Sequence, residues 1–332
     1  MLRGPMRAVV IARPGGPEVL EIRELPDPIP GIDDVVVAVR AAALNRADVL
    51  QRLGRYPAPR DAPPDIPGLE FAGVVESCGP RVRGIGVGDR VMGLLGGGGY
   101  AEKVRVPAAL CLPVPPALDW AEAAAIPEAF LTAFDALFER AAAKAGETVL
   151  VHAASSGVGT AAVQLAAVAG LHVLGTSRSA EKRPRVVALG AHECFDPQDP
   201  ATEESIRRST AGRGVDVVID LVGGATLATS LAVIAELGRI VVVGLLGGRR
   251  AELDLSILLQ RRAAIVGTIL RSRPEDQRVA LTREFGRRML PQFASGRLRA
   301  IVDRVLPWER VAEAHAELER GAHFGKIVLA VR

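Results

Sequence analysis

The stretch 149-VLVHAASSGVGTAAVQLAAVAG-170 decides how the chain is read. Together with Thr148 it opens on a β-branched apolar run, residues 148–151, which has the composition of a buried strand. A turn of small residues follows, Ala154-Ser155-Ser156-Gly157-Val158-Gly159. Beyond it Val158, Ala162, Leu165, Ala166 and Ala169 fall at helical spacing and mark one apolar face. A strand that turns tightly into a helix N-terminus is a seat for a pyrophosphate. The free backbone N–H groups and the positive end of the helix dipole both favour an anion there.

The Rossmann pattern for such a turn is Gly-x-Gly-x-x-Gly. Ala154 and Ser156 stand where its first two glycines belong, Gly159 matches the third, and Gly157 is extra. Ser156, Gly157, Val158 and Gly159 are therefore candidate cofactor residues, although a plain strand–turn–helix has the same outline. The next apolar run, 171–176, ends at Ser177, 18 residues after Gly159. A dinucleotide fold carries its ribose-reading side chain there, usually an acid when the ligand is NAD. Here the sequence is Ser177-Arg178-Ser179-Ala180-Glu181-Lys182, with Glu181 expected inside the following helix. A carboxylate repels a 2′-phosphate, whereas hydroxyls, a guanidinium fork and an ammonium accept it. Arg178 or Lys182 alone reads as a solvated surface charge. Ser177, Arg178 and Lys182 together favour NADP(H) over NAD(H).

Length and composition limit the other classes. A chain of 332 residues accommodates two domains, and 49% hydrophobic with 24% charged residues builds a sizeable core. A net charge of +3 with mixed signs and an aromatic content of 4% do not argue for nucleic acid. Cys78, Cys111 and Cys194 are odd in number and widely spaced, so they form neither a disulfide framework nor a C-x-x-C pair. The N-terminus lacks the pattern of a signal peptide and no apolar run reaches membrane-span length. A cytoplasmic protein without a membrane partner is expected.

Residues 6–128 read as mostly β, with short runs at 7–12, 19–24, 34–42, 71–77, 90–92 and 101–106 punctuated by Gly and Pro turns. That is the turn chemistry of a compact barrel or sandwich. From Ala121 to Ala143 the composition is helical, interrupted at Pro127. Strands and helices then alternate: strands at 149–153, 171–176, 194–195, 215–221, 239–243 and 264–270, helices at 158–169, 180–189, 203–210 and 226–235. This rhythm predicts an α/β fold with a doubly wound parallel sheet. A long helix near 274–293, a strand at 300–305, a helix at 308–320 and a last strand at 326–331 are expected to rejoin the first domain. The division expected is 1–128 with 272–332, and 129–271 as an insertion.

Five stretches carry a resemblance: Ala43–Tyr56, Ile66–Val75, Ala124–Ala133, His152–Gln164 and Phe324–Leu329. By their order and spacing the chain resembles the zinc-independent quinone oxidoreductases of the medium-chain dehydrogenase/reductase superfamily. It is most similar to the tumour-suppressor-inducible NADPH:quinone oxidoreductase branch. The resemblance implies a GroES-like, barrel-type catalytic domain, a Rossmann domain, and a cleft between them for the nicotinamide. Zinc-dependent relatives carry a Cys and a Gly-His-Glu where this sequence has Asn45 and Gly68-Leu69-Glu70. No metal is expected, and without that Lewis acid alcohol oxidation is disfavoured.

The resemblance also implies roles. Asn45 hydrogen-bonds near the nicotinamide or a carbonyl oxygen; its plain alternative is a turn-forming residue after a strand. Tyr56 matches a tyrosine that donates a proton in enoyl reductases, but in a quinone reductase it is expected to pack against the quinone. Thr132, at the start of a helix joining the domains, contacts the nicotinamide. Val222, Gly223, Gly244, Leu245 and Leu246 face the cofactor from strand ends, and Leu270 follows the last strand. Phe324, Gly325 and Lys326 close over the cofactor, their plain alternative being a turn before a strand. Relatives often place a Tyr near the adenosine phosphate where this chain has Pro197. The expected activity is reduction of small quinones by NADPH. The alternatives are a 2-enoyl or alkenal reductase using Tyr56, and a low-turnover cofactor- or RNA-binding protein. A homodimer is expected through the apolar edge strand 263–270.

Overall fold

The computed structural model describes residues 5–331. The chain divides into two compact units, one of Met1–Leu131 with Leu270–Arg332 and one of Thr132–Ile269.

In the first unit the organising element is the ten-residue strand β3 (Asp34–Ala43), preceded by the antiparallel pair β1 (Met6–Ile11) and β2 (Leu20–Leu25). The strands that follow are β4 (Glu70–Cys78), β5 (Arg90–Leu94), β6 (Lys103–Pro107) and β7 (Cys111–Pro113). The late strands β14 (Val302–Pro307) and β15 (Lys326–Ala330) return to the same sheet, which runs β14-β15-β3-β4-β5-β7. One edge of β3 is shared: β6 pairs with Asp34–Ala38 and β15 with Ala41–Ala43. Val35, Val37 and Val39 pack with Phe71, Val75, Val104, Ile327 and Leu329 in one apolar cluster. The sheet stays open, so the barrel expected from the turn pattern is not closed among the described residues. The cause lies at β14 and β7, its two ends, which do not pair.

Helices α1 (Arg46–Arg52), α2 (Trp120–Ala124), α9 (Glu275–Ala294) and α10 (Val311–Arg320) belong to this unit. Helix α3 (Pro127–Phe134) carries the chain onward, and wider π-type turns continue it over Asp135–Arg140. Pro127 interrupts the helical stretch as expected and then starts a new helix, because its missing N–H is harmless at the first position.

The second unit alternates β8 (Thr148–Val151), α4 (Gly157–Val168), β9 (His172–Thr176), α5 (Lys182–Ala188), β10 (Glu193–Phe195), α6 (Thr202–Ser209), β11 (Val215–Asp220), α7 (Leu227–Val233), β12 (Ile234–Val242), α8 (Leu255–Arg261) and β13 (Ala264–Gly267). All pairings are parallel, in the order β10-β9-β8-β11-β12-β13. The order reverses between β8 and β11, the doubly wound topology whose carboxyl-end crevice holds ligands. Glu181 is a correction, since it lies just before α5 and is exposed. Helix α7 is also shorter than expected. β12 starts at Ile234, but Leu237 takes a left-handed φ of 60°, and regular pairing resumes at Arg239. No helix among the described residues is long and apolar enough to cross a membrane.

Gly159 sits where α4 is pressed against the end of β8. A Cβ there meets Ala153 O at 2.4 Å and Ala154 Cα at 2.8 Å, both backbone atoms that have no room to yield. Gly159→Ala is expected to lower stability by roughly 1–3 kcal/mol in urea unfolding. Gly86→Ala, whose nearest neighbour is Asp89 Oδ2 at 3.9 Å, serves as a near-neutral control. Equal midpoints for the two variants contradict this packing.

Candidate functional site

The first unit assembles a buried charged cluster from segments far apart in sequence. β3 ends at Ala43, and Asn45 takes an extended conformation (φ −132°, ψ 152°) before α1 begins. The α1 side chain Asp48 locks this corner: it accepts from Asn45 N at 2.8 Å, Gly68 N at 3.0 Å and the Tyr100 hydroxyl at 3.0 Å. Gly68 has φ +101°, and a Cβ there meets Tyr100 N at 2.6 Å, so only glycine fits. The same corner brings Glu70, at the start of β4, beneath Asn45.

Glu70 is fully buried. Its Oε1 accepts from Lys326 Nζ at 2.6 Å and from Asn45 Nδ2 at 2.9 Å. Its Oε2 accepts the backbone N–H of Glu128, in the first turn of α3, at 2.7 Å. Lys326, the first residue of β15, also donates to Leu44 O and Asn45 Oδ1, each at 2.6 Å. One buried carboxylate is thus neutralised by an ammonium, an amide and a helix N-terminus.

Beside it lies a second group. Arg271 directs Nε to Gly96 O at 2.7 Å, Nη1 to Tyr56 O at 3.3 Å and Nη2 to Gln51 Oε1 at 2.5 Å. Its guanidinium carbon stands 5.0 Å from the centre of the Tyr56 ring, a cation–π contact. Burial raises the Tyr56 phenol, Arg271 opposes that shift, and Glu128 adds to it, so the hydroxyl keeps its proton at neutral pH. Glu128 itself is pushed up to about 7, by burial first and then by Glu70.

The residues expected at the site fall into two sets. Asn45 is present, but Nδ2 is engaged by Glu70 and, at 3.3 Å, by Ala43 O, while Oδ1 is taken by Lys326. It is thereby held in the charge cluster at the end of β3. Lys326 directs its three donors to Leu44 O, Asn45 Oδ1 and Glu70 Oε1 in the first unit. Phe324 and Gly325 form the turn that enters β15: Phe324 N donates to Asp303 Oδ1, and Gly325 (φ +85°) lies against Ile301. Leu270 is buried in the same unit. Tyr56 is half-buried next to Arg271.

In the second unit Ser156 heads α4 and its Oγ accepts from Gly159 N at 3.1 Å. The turn therefore presents Gly157 and Val158 at a helix start that fits a phosphate. Ser177 Oγ donates to Ser155 Oγ at 3.2 Å, joining the ends of β8 and β9. Arg178 is exposed and Lys182 half-buried at the first position of α5. The sequence reading missed Arg183, which donates to Ser177 O at 3.2 Å and to Asp196 Oδ2 at 3.0 Å, just before Pro197. Its signal was another basic residue one step beyond Lys182. Val222 N and Gly223 N both donate to Asp220 Oδ1 at 2.8 Å, and Gly244 N reaches Asp220 O, so these strand-end residues come together. Leu245 and Leu246 are exposed. Thr132 is the sixth residue of α3, not at a helix start, and its Oγ1 is buried with no hydrogen-bond partner among the described residues.

Glu70, Asp48, Glu128 and Arg271 also escaped the sequence reading as site residues, although the first three lie in or beside the resembling stretches. A charged side chain inside an otherwise apolar motif was the available signal. The donor set does not fit zinc: Glu70 is held by an ammonium and two N–H groups, and no metal-ligating group of His, Cys, Asp and Glu occurs among the described residues.

Residues 31–116 match the alcohol dehydrogenase GroES-like domain model and residues 157–284 the zinc-binding dehydrogenase model. A quinone oxidoreductase from Lama guanicoe is 34% identical over 98% of both chains. Among solved structures, an NAD-dependent alcohol dehydrogenase is 37% identical with a TM-score of 0.89, covering 98% of this chain and 100% of its own. A quinone oxidoreductase from Pseudomonas syringae is 32% identical with a TM-score of 0.88 and the same coverage. The enoyl reductase CurK (28%, TM-score 0.88; 99% of this chain, 100% of its own) and a mycobacterial protein complexed with NADPH (29%, TM-score 0.86; 98% and 100%) share the fold. With a full-length relative at this identity, a GroES-like segment and a Rossmann sheet, the chain belongs to the quinone oxidoreductase family of the medium-chain dehydrogenase/reductase oxidoreductases.

Proposed function

We propose that this oxidoreductase reduces small quinones with NADPH. The observation that carries the reading is the closed ring of donors on Glu70, with Lys326 where an acid-base or metal centre needs open valences. A substrate whose reduced oxygen is stabilised by its own delocalisation suits such a site, because it needs no metal at Glu70. Bound NADPH supplies the hydride. The chain's part is to bind, orient and exclude water. Ser156, Gly157, Val158 and Gly159 hold the pyrophosphate, and Ser177, Arg178 and Lys182 surround the 2′-phosphate. Tyr56, stiffened by Arg271, offers the quinone an aromatic face.

The relative solved with NADPH supports the phosphorylated cofactor, whereas the NAD-dependent one points the other way. Asp196 does not favour NAD here, because Arg183 pairs with it. In a panel of acceptors assayed with both cofactors, kcat/KM is expected to favour NADPH. Arg178→Ala combined with Lys182→Ala is expected to cut that preference about tenfold, one charge-assisted contact's worth. Equal use of NADH by the unaltered protein, with no effect of the double variant, rules the cofactor assignment out.

A second reading, an enone reductase, is favoured by the Tyr56 hydroxyl, which has no hydrogen-bond partner among the described residues. Tyr56→Phe separates the two. For a quinone reductase the loss is about threefold or less, since the ring is kept. A loss on the order of 100-fold confined to enones establishes the other chemistry instead.

The proposed assembly is a homodimer. β13 pairs with β12 and leaves its outer edge open among the described residues, with exposed Ile265 and Ile269 on or beside it and exposed Leu255 and Leu259 on α8. Two copies of such an edge pair across a two-fold axis, which covers both. Ile265→Lys is expected to shift the protein from dimer to monomer in analytical ultracentrifugation; a monomeric unaltered protein contradicts the assignment.

A further inference from the structure

One carboxyl of the Glu70 cluster has no part in the reading above. The Glu128 backbone N–H is bound to Glu70, but its side-chain Oε2 is buried with no hydrogen-bond partner among the described residues. The nearby donors are already engaged. Lys326 is held by Leu44, Asn45 and Glu70, and Arg271 by Gly96, Tyr56 and Gln51. A carboxyl in that position carries its proton more easily than a charge.

The charged groups facing it divide. Glu70 from β4 and Asp48 from α1 oppose a further negative charge, while Lys326 from β15 and Arg271 favour one. Tyr56, after α1, keeps its proton, and Glu128 helps to raise it. Burial outweighs the rest and sets the carboxyl at about 7. A group poised there is well matched to giving up a proton at neutral pH.

We propose that Glu128 is the proton donor of this enzyme, giving its proton to the acceptor's carbonyl oxygen as that oxygen gains negative charge. This rests on the quinone- or enone-reducing function proposed above. Reduced nicotinamide is oxidised as its hydride, two electrons and one hydrogen, passes to the acceptor. The Glu128 O–H bond breaks, an O–H bond forms on the acceptor, and water reprotonates the carboxylate left behind.

The test is single-turnover oxidation of NADPH by a small benzoquinone for the wild type, Glu128→Gln and Glu128→Asp. The wild-type rate is expected to be level up to about pH 7 and to fall above it, following loss of the donor's proton. Glu128→Gln keeps NADPH affinity, measured by fluorescence, but loses about 100-fold in rate and the step near neutrality. Glu128→Asp retains a step.

A second readout needs no turnover. Between the unfolded carboxyl's value, about 4.3, and about 7, the folded protein holds a proton that the unfolded chain has lost. Wild-type stability therefore falls as pH rises through that window and levels above it. The thermal midpoint of Glu128→Gln should gain several degrees on the wild type from about pH 5 to about pH 8. A Glu128→Gln variant with the wild-type rate and pH profile overturns the donor role, and a constant midpoint difference overturns the neutral carboxyl. A wild type inert toward every quinone and enone overturns the functional reading and the donor role together. That case is recognised by a midpoint shift that persists.

Discussion

The first unit depends on one contact, the 2.6 Å ion pair between Lys326 and Glu70 with both side chains out of water. Burying two charges is costly, and the cost is offset only when the geometry is close and the remaining lone pairs are satisfied. Both conditions hold: Asn45 and the Glu128 N–H complete Glu70, while Leu44 O and Asn45 Oδ1 complete Lys326. Breaking such a pair by removing one partner costs about 3–5 kcal/mol, because the other charge is left buried and alone. The contact ties β15, near the end of the chain, to β4 and to the corner between β3 and α1. It also means that Glu70 absorbs the donors around it, which leaves its neighbour Glu128 bare.

Much of this was legible in the sequence. The apolar run before Ala154 and the helical spacing after Val158 gave the βα unit, and the strand–helix rhythm gave the parallel sheet. Gly159 matched the third glycine of the Rossmann pattern, and its backbone neighbours at 2.4 and 2.8 Å explain why no side chain fits. The switch at Pro127 was legible too, because proline's effect on a helix is local.

What escaped has a common cause. Lys326, Glu70, Asn45 and Glu128 are distant in sequence, and no periodicity reports which buried charges will meet. A lysine at the start of a final strand shows in the sequence neither of its partners Leu44 and Asn45 nor the carboxylate of Glu70. The open sheet was hidden for the same reason, since barrel closure depends on whether remote strands pair. Arg183 was overlooked because its neighbours Arg178 and Lys182 carry the same charge; its carboxylate partner, Asp196, lies 13 residues on.

The central claim is that Lys326, Asn45 and the Glu128 N–H are all taken up by Glu70, and that the Glu128 carboxyl beside it holds its proton up to about pH 7. Its most direct measurement is a carbon-13 NMR pH titration of protein labelled at the glutamate side-chain carboxyls. One resonance titrating at about pH 7, and missing from the spectrum of Glu128→Gln, is the predicted result. A spectrum in which every glutamate titrates in the ordinary range, about 4.2 ± 0.9, contradicts it.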